Sequence, residues 1–453
     1  MNYIKTLIDL WELKRNEKKT PDKISVLQKQ KLRRLLHYAY ETSEYYRSSF
    51  EMAGITADKI DNTPLSEFPT IDKSVLLSQF DRLVTVPGLK QEEIHRFDEQ
   101  EKPDRKPFNG KYHIVHSSGS TGKPGYFVYD NSAWNSMLLG IIRGALWNMS
   151  MPQILKFLVH GPRIVYIAAT DGRYGGAMAV GDGIDGVGAK QIYLDIKTPL
   201  EEWVSAVKKF KPNMIIGYPS AIKILAELAE KGDVDLHIRR VVSCGEPLGA
   251  SLRKYLEDIF QAQVINFYGA SESLSLGVES DPQEGMLLFD DMNIIEIENG
   301  VMYLTCLYNF VQPLIRYHIS DSLTLKAPTE KNRYPFTRAV GLLGRNEDIL
   351  WFNDGNGKRE FLHPLAIEGF CIEGLRDYQF KQLSPDAFEM IAEIADDSLQ
   401  ETIRGEMLQQ MKAILEEKDL GYVQFYVNFV PEILPDPKTG KKCLILTDTE
   451  ARI

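Results

Sequence analysis

Cysteine is scarce and scattered. The 453-residue chain holds four, Cys244, Cys306, Cys371 and Cys443, with no CxxC pair, so their spacing offers neither a zinc site nor a disulfide framework. Buried thiols in a reducing compartment are the plain expectation. A basic excess is also missing: the formal net charge is -10, which argues against a nucleic-acid backbone as the main partner. Long apolar runs are lacking as well. The most apolar stretch, Met137 to Trp147, is interrupted by Arg143 and falls short of the roughly 20 residues a membrane-spanning helix needs. The N-terminal MNYIKTLIDLWELKRNEKK carries charges on both sides of a short apolar stretch and has no small-residue cleavage site, unlike a secretory signal. A cytoplasmic protein without a membrane partner is expected. His113, His160, His237 and His363 show no ligand spacing, and none is given a metal role.

What is present points to two or three packed units, since the length exceeds what one hydrophobic core usually serves. Leu32, Leu35, Leu36, Ala39 and Tyr40 recur at helical spacing, which makes residues 1–60 an amphipathic helical layer covering something else. Short apolar runs then alternate with helical stretches: Ile164 to Ala168, Ile192 to Leu194, Met214 to Ile216, Val241 to Ser243 and Val264 to Phe267. That alternation predicts an α/β fold with mostly parallel sheet and crossover helices. Ligands in such sheets bind beyond the carboxyl ends of the strands. Three runs end in GYPS (Gly217 to Ser220), CGEP (Cys244 to Pro247) and YGASES (Tyr268 to Ser273), so the three turns are expected on one rim.

After residue 285 the pattern becomes antiparallel, with a hairpin signal at Asn299-Gly300 before MYLTCLY, then LIRYHISDSLTLK. A small barrel or sheet extension is expected there. Beyond Gly344 comes a separate α+β unit. Phe388, Met390, Ala392 and Ile394 alternate as a strand, Met407, Leu408, Met411, Ile414 and Leu415 make a helix face, and Val423, Phe425, Val427 and Phe429 alternate again. The expected division is 1–344, with an α/β core over 110–285 and an antiparallel extension over 286–344, followed by a mobile 345–453.

The strongest chemical signal is HSSGSTGKP, His116 to Pro124. Small hydroxyl residues and two glycines let backbone N–H and side-chain O–H groups approach phosphate oxygens. It is not GxxxxGK(S/T), because Ser117 stands at the first glycine and Pro124 at the magnesium-binding hydroxyl. Taken alone such a stretch is as often a plain hairpin turn.

In company it says more. SSGSTGKP resembles the phosphate-binding loop of the adenylate-forming superfamily of acyl-CoA synthetases, nonribosomal peptide adenylation domains and luciferases, which implies that Ser117, Ser118, Gly119, Ser120, Thr121, Gly122 and Lys123 hold phosphates. Further segments follow in that family's order. CGEP resembles the adenine-lining turn, with Gly245, Glu246 and Pro247. FYGASES resembles YGxTE, implying Tyr268 against the adenine, Gly269, Ala270 and Ser271 beside the nucleotide, and Glu272 at a magnesium ion. LIRYHISD resembles RYRTGD, implying that Asp321 takes the ribose hydroxyls, although His318, Ile319 and Ser320 replace Arg-Thr-Gly. GRNEDIL is similar to the hinge segment GRxDD, with Arg345 near the ribose and Glu347 at the pivot. PDPKTGKK resembles the segment of the adenylation lysine, here Lys441. GYPSAIKILAELAE, PLIRY and FLHPLAIE resemble the phenylacetate-CoA ligase branch with its CapK-like members. The resemblance implies ATP and Mg2+, a carboxylic acid made into an acyl-adenylate with release of pyrophosphate, and coenzyme A as the acceptor, with a carrier protein or an amine as the alternative. A homodimer is left open.

Each residue has a plainer reading: Asp321 ending a strand, Glu272 capping a helix, Tyr268 in the core, Lys441 in a solvated turn. A rival class also exists. SAIK (Ser220 to Lys223), SDS (Ser320 to Ser322) and KTG (Lys438 to Gly440) follow the order of a penicillin-binding serine acyl-enzyme, but leave SSGSTGKP, YGASES and GRNED unexplained. A third reading keeps the fold as a non-catalytic nucleotide-binding protein.

Overall fold

A computed structural model describes residues 3–99, 107–116, 125–168, 189–195, 200–319, 321–329, 332–345, 350–353, 359–362, 367, 370, 372–417, 420–434 and 444–446. Contacts divide the chain into unit 1, Met1–Thr198 with Phe267–Val340, and unit 2, Pro199–Asn266 with Gly341–Ile453.

Unit 1 opens with α1 (Tyr3–Asn16), α2 (Pro21–Thr42) and α3 (Glu44–Met52). Pro21 in the first turn of α2 needs no N–H partner, and Asp22 beside it suits the positive helix end. Ile24, Leu32, Leu35, Leu36 and Ala39 form its buried stripe, so the spacing in the sequence does mark a covering layer. Polar anchors fix that layer in place: Lys31 Nζ donates to the Asp291 carbonyl at 2.6 Å and Tyr46 OH to the Pro313 carbonyl at 2.7 Å. α4 (Lys73–Leu83) is capped by Asp72, whose carboxylate accepts from Val75 N at 2.8 Å. α5 (Gln91–Asp98) follows, burying Ile94.

β1 (Tyr112–His116) and β2 (Tyr126–Asp130) pair antiparallel from Tyr112↔Asp130 to His116↔Tyr126. Asp130 then caps α6 (Asn131–Ala145), and α7 (Met151–Val159) leads to the parallel pair β3 (Arg163–Ala168) and β4 (Lys190–Asp195). Arg143 of α6 is fully buried against Asp291, with N···O distances of 2.8 and 3.0 Å, and Asn16 of α1 donates to the same carboxylate at 2.7 Å. Burial would raise the Asp291 carboxyl, but Arg143, Lys31 and Asn16 outweigh it and hold the group below its usual range.

In unit 2, α8 (Leu200–Phe210) precedes β5 (Met214–Gly217), α9 (Pro219–Glu230), β6 (Arg240–Cys244) and α10 (Ala250–Phe260). β5 and β6 are parallel, Met214↔Arg240 to Gly217↔Ser243, joined through α9. β7 (Gln263–Ala270) carries the chain from unit 2 into unit 1.

Unit 1 resumes with β8 (Ser273–Glu279) and β9 (Met286–Leu288), then β10 (Asn293–Glu298), β11 (Val301–Cys306) and β12 (Tyr317–Ile319), which make a three-stranded antiparallel sheet. The β10–β11 turn is the expected two-residue hairpin: Asn299 (φ 52°) and Gly300 (φ 77°) adopt the left-handed conformation such turns require. The run LIRYHISDSLTLK is not one strand. β12 joins that small sheet, whereas β13 (Asp321–Lys326) lies beside β14 (Arg338–Arg345) in the order β13-β14-β9-β8-β7.

The C-terminal part of unit 2 contains the pair β15 (Leu350–Asn353) and β16 (Arg359–Leu362), then β17 (Leu375–Ser384), β18 (Ala387–Ile394), α11 (Gln400–Glu417), β19 (Gln424–Val430) and β20 (Ile445–Leu446). Its four-stranded sheet has the order β19-β18-β17-β20. β18 and β19 run parallel with α11 between them, the β-α-β unit read from the sequence. The α11 stripe differs from expectation at one point: Ile403, Met407, Met411 and Leu415 are buried, while Leu408 is 41% exposed. One residue on from Met407 lies about 100° around the helix, which turns Leu408 out of the stripe. In class the chain is α/β: parallel-rich sheet flanked by helices, a small antiparallel sheet, and an α/β C-terminal part. Among the described residues no helix is long and apolar enough to cross a membrane.

Candidate active site

In unit 1 the candidate residues are built on the end of β7. Tyr268 is buried, and its hydroxyl donates to Asp321 Oδ2, at the start of β13, at 2.7 Å. Two residues 53 positions apart, each singled out by its motif, thus share one charge-assisted hydrogen bond. Burial, and then the Asp321 carboxylate, push the Tyr268 phenol well above its ordinary value, so it remains a donor. At Gly269 a Cβ would lie 2.5 Å from the Leu274 carbonyl oxygen, which leaves room for glycine alone where β7 turns into β8.

The turn that follows is held from behind. Tyr129 of β2 donates to the carbonyls of Ser271 and Glu272, at 3.1 and 3.0 Å. Ser271 Oγ donates to the His116 carbonyl at 3.4 Å, so the YGASES turn is tied to the hairpin from which Ser117–Pro124 departs. Ser273, fully buried, donates to Asn293 Oδ1 at 3.0 Å and lies 2.7 Å from the Tyr308 hydroxyl. Glu272 itself is half-buried. Burial is the main reason that the phenols of Tyr129, Tyr268 and Tyr317 are raised, and the Glu272 charge adds to each.

In unit 2 the GYPS and CGEP turns meet. The Glu246 carboxylate accepts from Ser220 N at 3.2 Å and from Ser220 Oγ at 3.0 Å, a negative charge on the first turn of α9, where the helix dipole favours it. Gly245 has φ +83°, and a Cβ there would touch the Tyr218 ring at 2.8 Å, so glycine is required on both counts. A cleft with about 530 Å³ of open space borders this turn, lined by Pro219, Ser220, Glu246, Pro247, Arg376 and Tyr378 among others. Two of the three expected rim turns therefore come together within unit 2, and the third is organised in unit 1 with Asp321.

Other expectations fall elsewhere. Ser117–Pro124, Glu347 and Lys441 lie outside the described residues, and Arg345 is the last residue of β14. Among the described residues no group of three or more His, Cys, Asp or Glu is arranged to hold a metal ion. His113 stacks on Trp134 with ring centroids 4.5 Å apart. The serine acyl-enzyme reading meets an obstacle at its first motif. Ser220 Oγ is committed to Glu246, and the Lys223 ammonium is buried 2.5 Å from Glu393 Oε1 and 3.5 Å from Glu227 Oε1. Each of the two side chains is thus engaged by a carboxylate. Sequence reasoning missed Tyr129, whose role depends on a partner far along the chain and leaves no local pattern.

Known proteins resemble this chain over most of its length. The family model described as AMP-binding enzyme matches residues 52–288. Phenylacetate-coenzyme A ligase of Aromatoleum evansii is 24% identical over 378 residues, 78% of this chain and 76% of that protein. Protein CapK of Staphylococcus aureus is 21% identical over 449 residues, 92% of this chain and 87% of that one. Among solved structures, 2-hydroxyisobutyryl-CoA ligase in the postadenylation state, in complex with R3-HIB-AMP, superposes with a TM-score of 0.68 at 20% identity, covering 93% of this chain and 89% of that chain.

Proposed function

Because this chain belongs to the AMP-binding enzyme family of adenylate-forming proteins, we propose that it is an AMP-forming acid–thiol ligase that takes a carboxylic acid, ATP and coenzyme A. In the first step a carboxylate oxygen attacks the α-phosphorus of ATP, the new C–O–P bond gives the acyl-adenylate, and pyrophosphate leaves. In the second the thiolate of coenzyme A attacks the carbonyl carbon, a thioester C–S bond forms, and AMP leaves with the bonding pair. Both co-substrates are those of the cytoplasm.

One observation carries the reading: the Tyr268–Asp321 hydrogen bond, which brings together the two residues that the family resemblance assigns to the base and to the ribose. The same resemblance assigns Gly245, Glu246 and Pro247 to the base, Gly269, Ala270 and Ser271 to the nucleotide and Arg345 to the ribose. Ser117 to Lys123 supply N–H and O–H donors to the phosphates. Lys441 brings a point cation to the charge developing as two anions approach, the largest electrostatic obstacle in the step. The stretch from Arg345 onward acts as a lid turning about Glu347 and carries Lys441 with it. The Glu272 carboxylate would hold Mg2+, and the ion would neutralise phosphate charge there.

Exchange of labelled pyrophosphate into ATP, run over a panel of carboxylic acids that includes phenylacetate, tests the proposal. Exchange that needs both acid and Mg2+ is the expected result. ADP and phosphate as the obligatory products would refute it.

A further inference from the structure

The residues on either side of the Ser117–Pro124 segment face each other at the loop end of a hairpin: His116 closes β1, Tyr126 opens β2, and the two are register partners. A two-stranded hairpin on its own is marginal in water and relies on other elements to hold its strands together. Here a third element reaches the same pair. Asp98, the last residue of α5, lies with Oδ2 3.3 Å from His116 Nδ1, and its carboxylate also takes a hydrogen bond from the Tyr126 hydroxyl. The Tyr126 hydroxyl lies 3.2 Å from His95 Nδ1, one turn back on α5. The Asp98 and His116 side chains are only 12% and 19% exposed, so these contacts are shielded from water and count for more than a surface pair.

The position of the carboxylate is informative. A negative charge at the C-terminal end of a helix opposes the helix dipole, so Asp98 does not serve α5. What it serves is the hairpin neck. His116 also accepts, through its carbonyl, the Ser271 hydroxyl of the YGASES turn, so the clasped strand is aligned with Glu272 as well.

We propose that Asp98 is a positioning residue for the nucleotide phosphates: by holding His116 and Tyr126 together it sets the width and direction of the neck from which Ser117–Lys123 depart. The proposal rests on the reading of that segment as the phosphate-binding loop. Ordering the neck in advance removes part of the entropy cost of binding, so the effect falls on ATP and spares the acid.

The test compares wild type with Asp98→Ala, Asp98→Asn and Tyr126→Phe, each checked for folding by thermal unfolding. ATP binding with Mg2+ is followed by calorimetric titration, and the KM values for ATP and acid by pyrophosphate exchange. Asp98→Ala is expected to weaken ATP binding and raise its KM about tenfold, the effect of one charge-assisted hydrogen bond, with the KM for acid changed less than about twofold. Adding Tyr126→Phe to Asp98→Ala is expected to cost nothing further, because both act through one carboxylate. If Asp98→Ala fails to fold, Asp98→Asn and Tyr126→Phe carry the same readout. Unchanged ATP affinity in folded variants, or equal shifts in both KM values, would overturn the clasp. Absence of acid-dependent exchange in the wild type would instead sink the adenylation reading, and the ATP titrations would still decide the clasp.

Discussion

Asp321 accepts a hydrogen bond from a tyrosine whose phenol burial holds well above its ordinary value, and this fixes the carboxylate as an acceptor of known direction. A carboxylate so held and taking ribose hydroxyls contributes roughly 1.5 to 3 kcal/mol to nucleotide binding. Asp321→Ala is therefore expected to weaken ATP by about 10- to 100-fold in a calorimetric titration, and Tyr268→Phe, which removes only the orienting donor, by less. Unchanged affinity in folded Asp321→Ala would return the residue to a structural role. Both residues were legible in the sequence because each sits in a short motif at a strand boundary, Tyr268 near the end of β7 and Asp321 at the start of β13. Their bond was not, since it joins β7 to β13, and no local spacing encodes a partner 53 residues away. Asp98 was illegible for the same reason: a single carboxylate at a helix end carries no pattern of its own.

At the level of elements, the strands that were read correctly have either uniform apolar runs, such as Val241 to Ser243 within β6, or clean alternation, as in β18 and β19. β17, LRDYQFKQLS, escaped because charged and amide residues interrupt its alternation, with Gln379 buried among them; it becomes a strand through pairing with β18. α6 and α1 show how a polar pair organises packing. Arg143 and Asp291 have no exposed side-chain surface, and the Asn16 amide completes the carboxylate's partners. Removing one member of a buried pair leaves the other charge without compensation, at a cost of about 3 to 5 kcal/mol. Asp291→Ala is thus expected to lower the first thermal transition strongly. Replacing Arg143 and Asp291 together by apolar residues should recover much of the loss. A double variant as unstable as the single one would show that the pair's shape, and not its charge, holds α6 in place.

For the whole molecule, the apolar runs and turn residues were enough to predict an α/β chain with a C-terminal α+β portion. They suggested a division after Gly344 and gave no sign that Pro199–Asn266 would group with Gly341–Ile453. The grouping of Pro199–Asn266 with Gly341–Ile453 rests on contacts such as Lys223 with Glu393 at 2.5 Å, Ser251 Oγ with the Phe370 carbonyl at 2.6 Å, and Arg376 with Glu230 at 3.4 Å. Each is made by a residue that in the sequence looks like part of a solvated helix face or a turn. The central claim concerns the chemistry that these units serve, an acid joined to the α-phosphorus of ATP before transfer to a thiol. It is tested most directly by supplying an accepted acid with both carboxylate oxygens labelled with 18O, together with ATP and coenzyme A, and weighing the products. The account predicts AMP carrying one 18O and a thioester retaining the other. Label in inorganic phosphate with formation of ADP, or AMP without label, would contradict it.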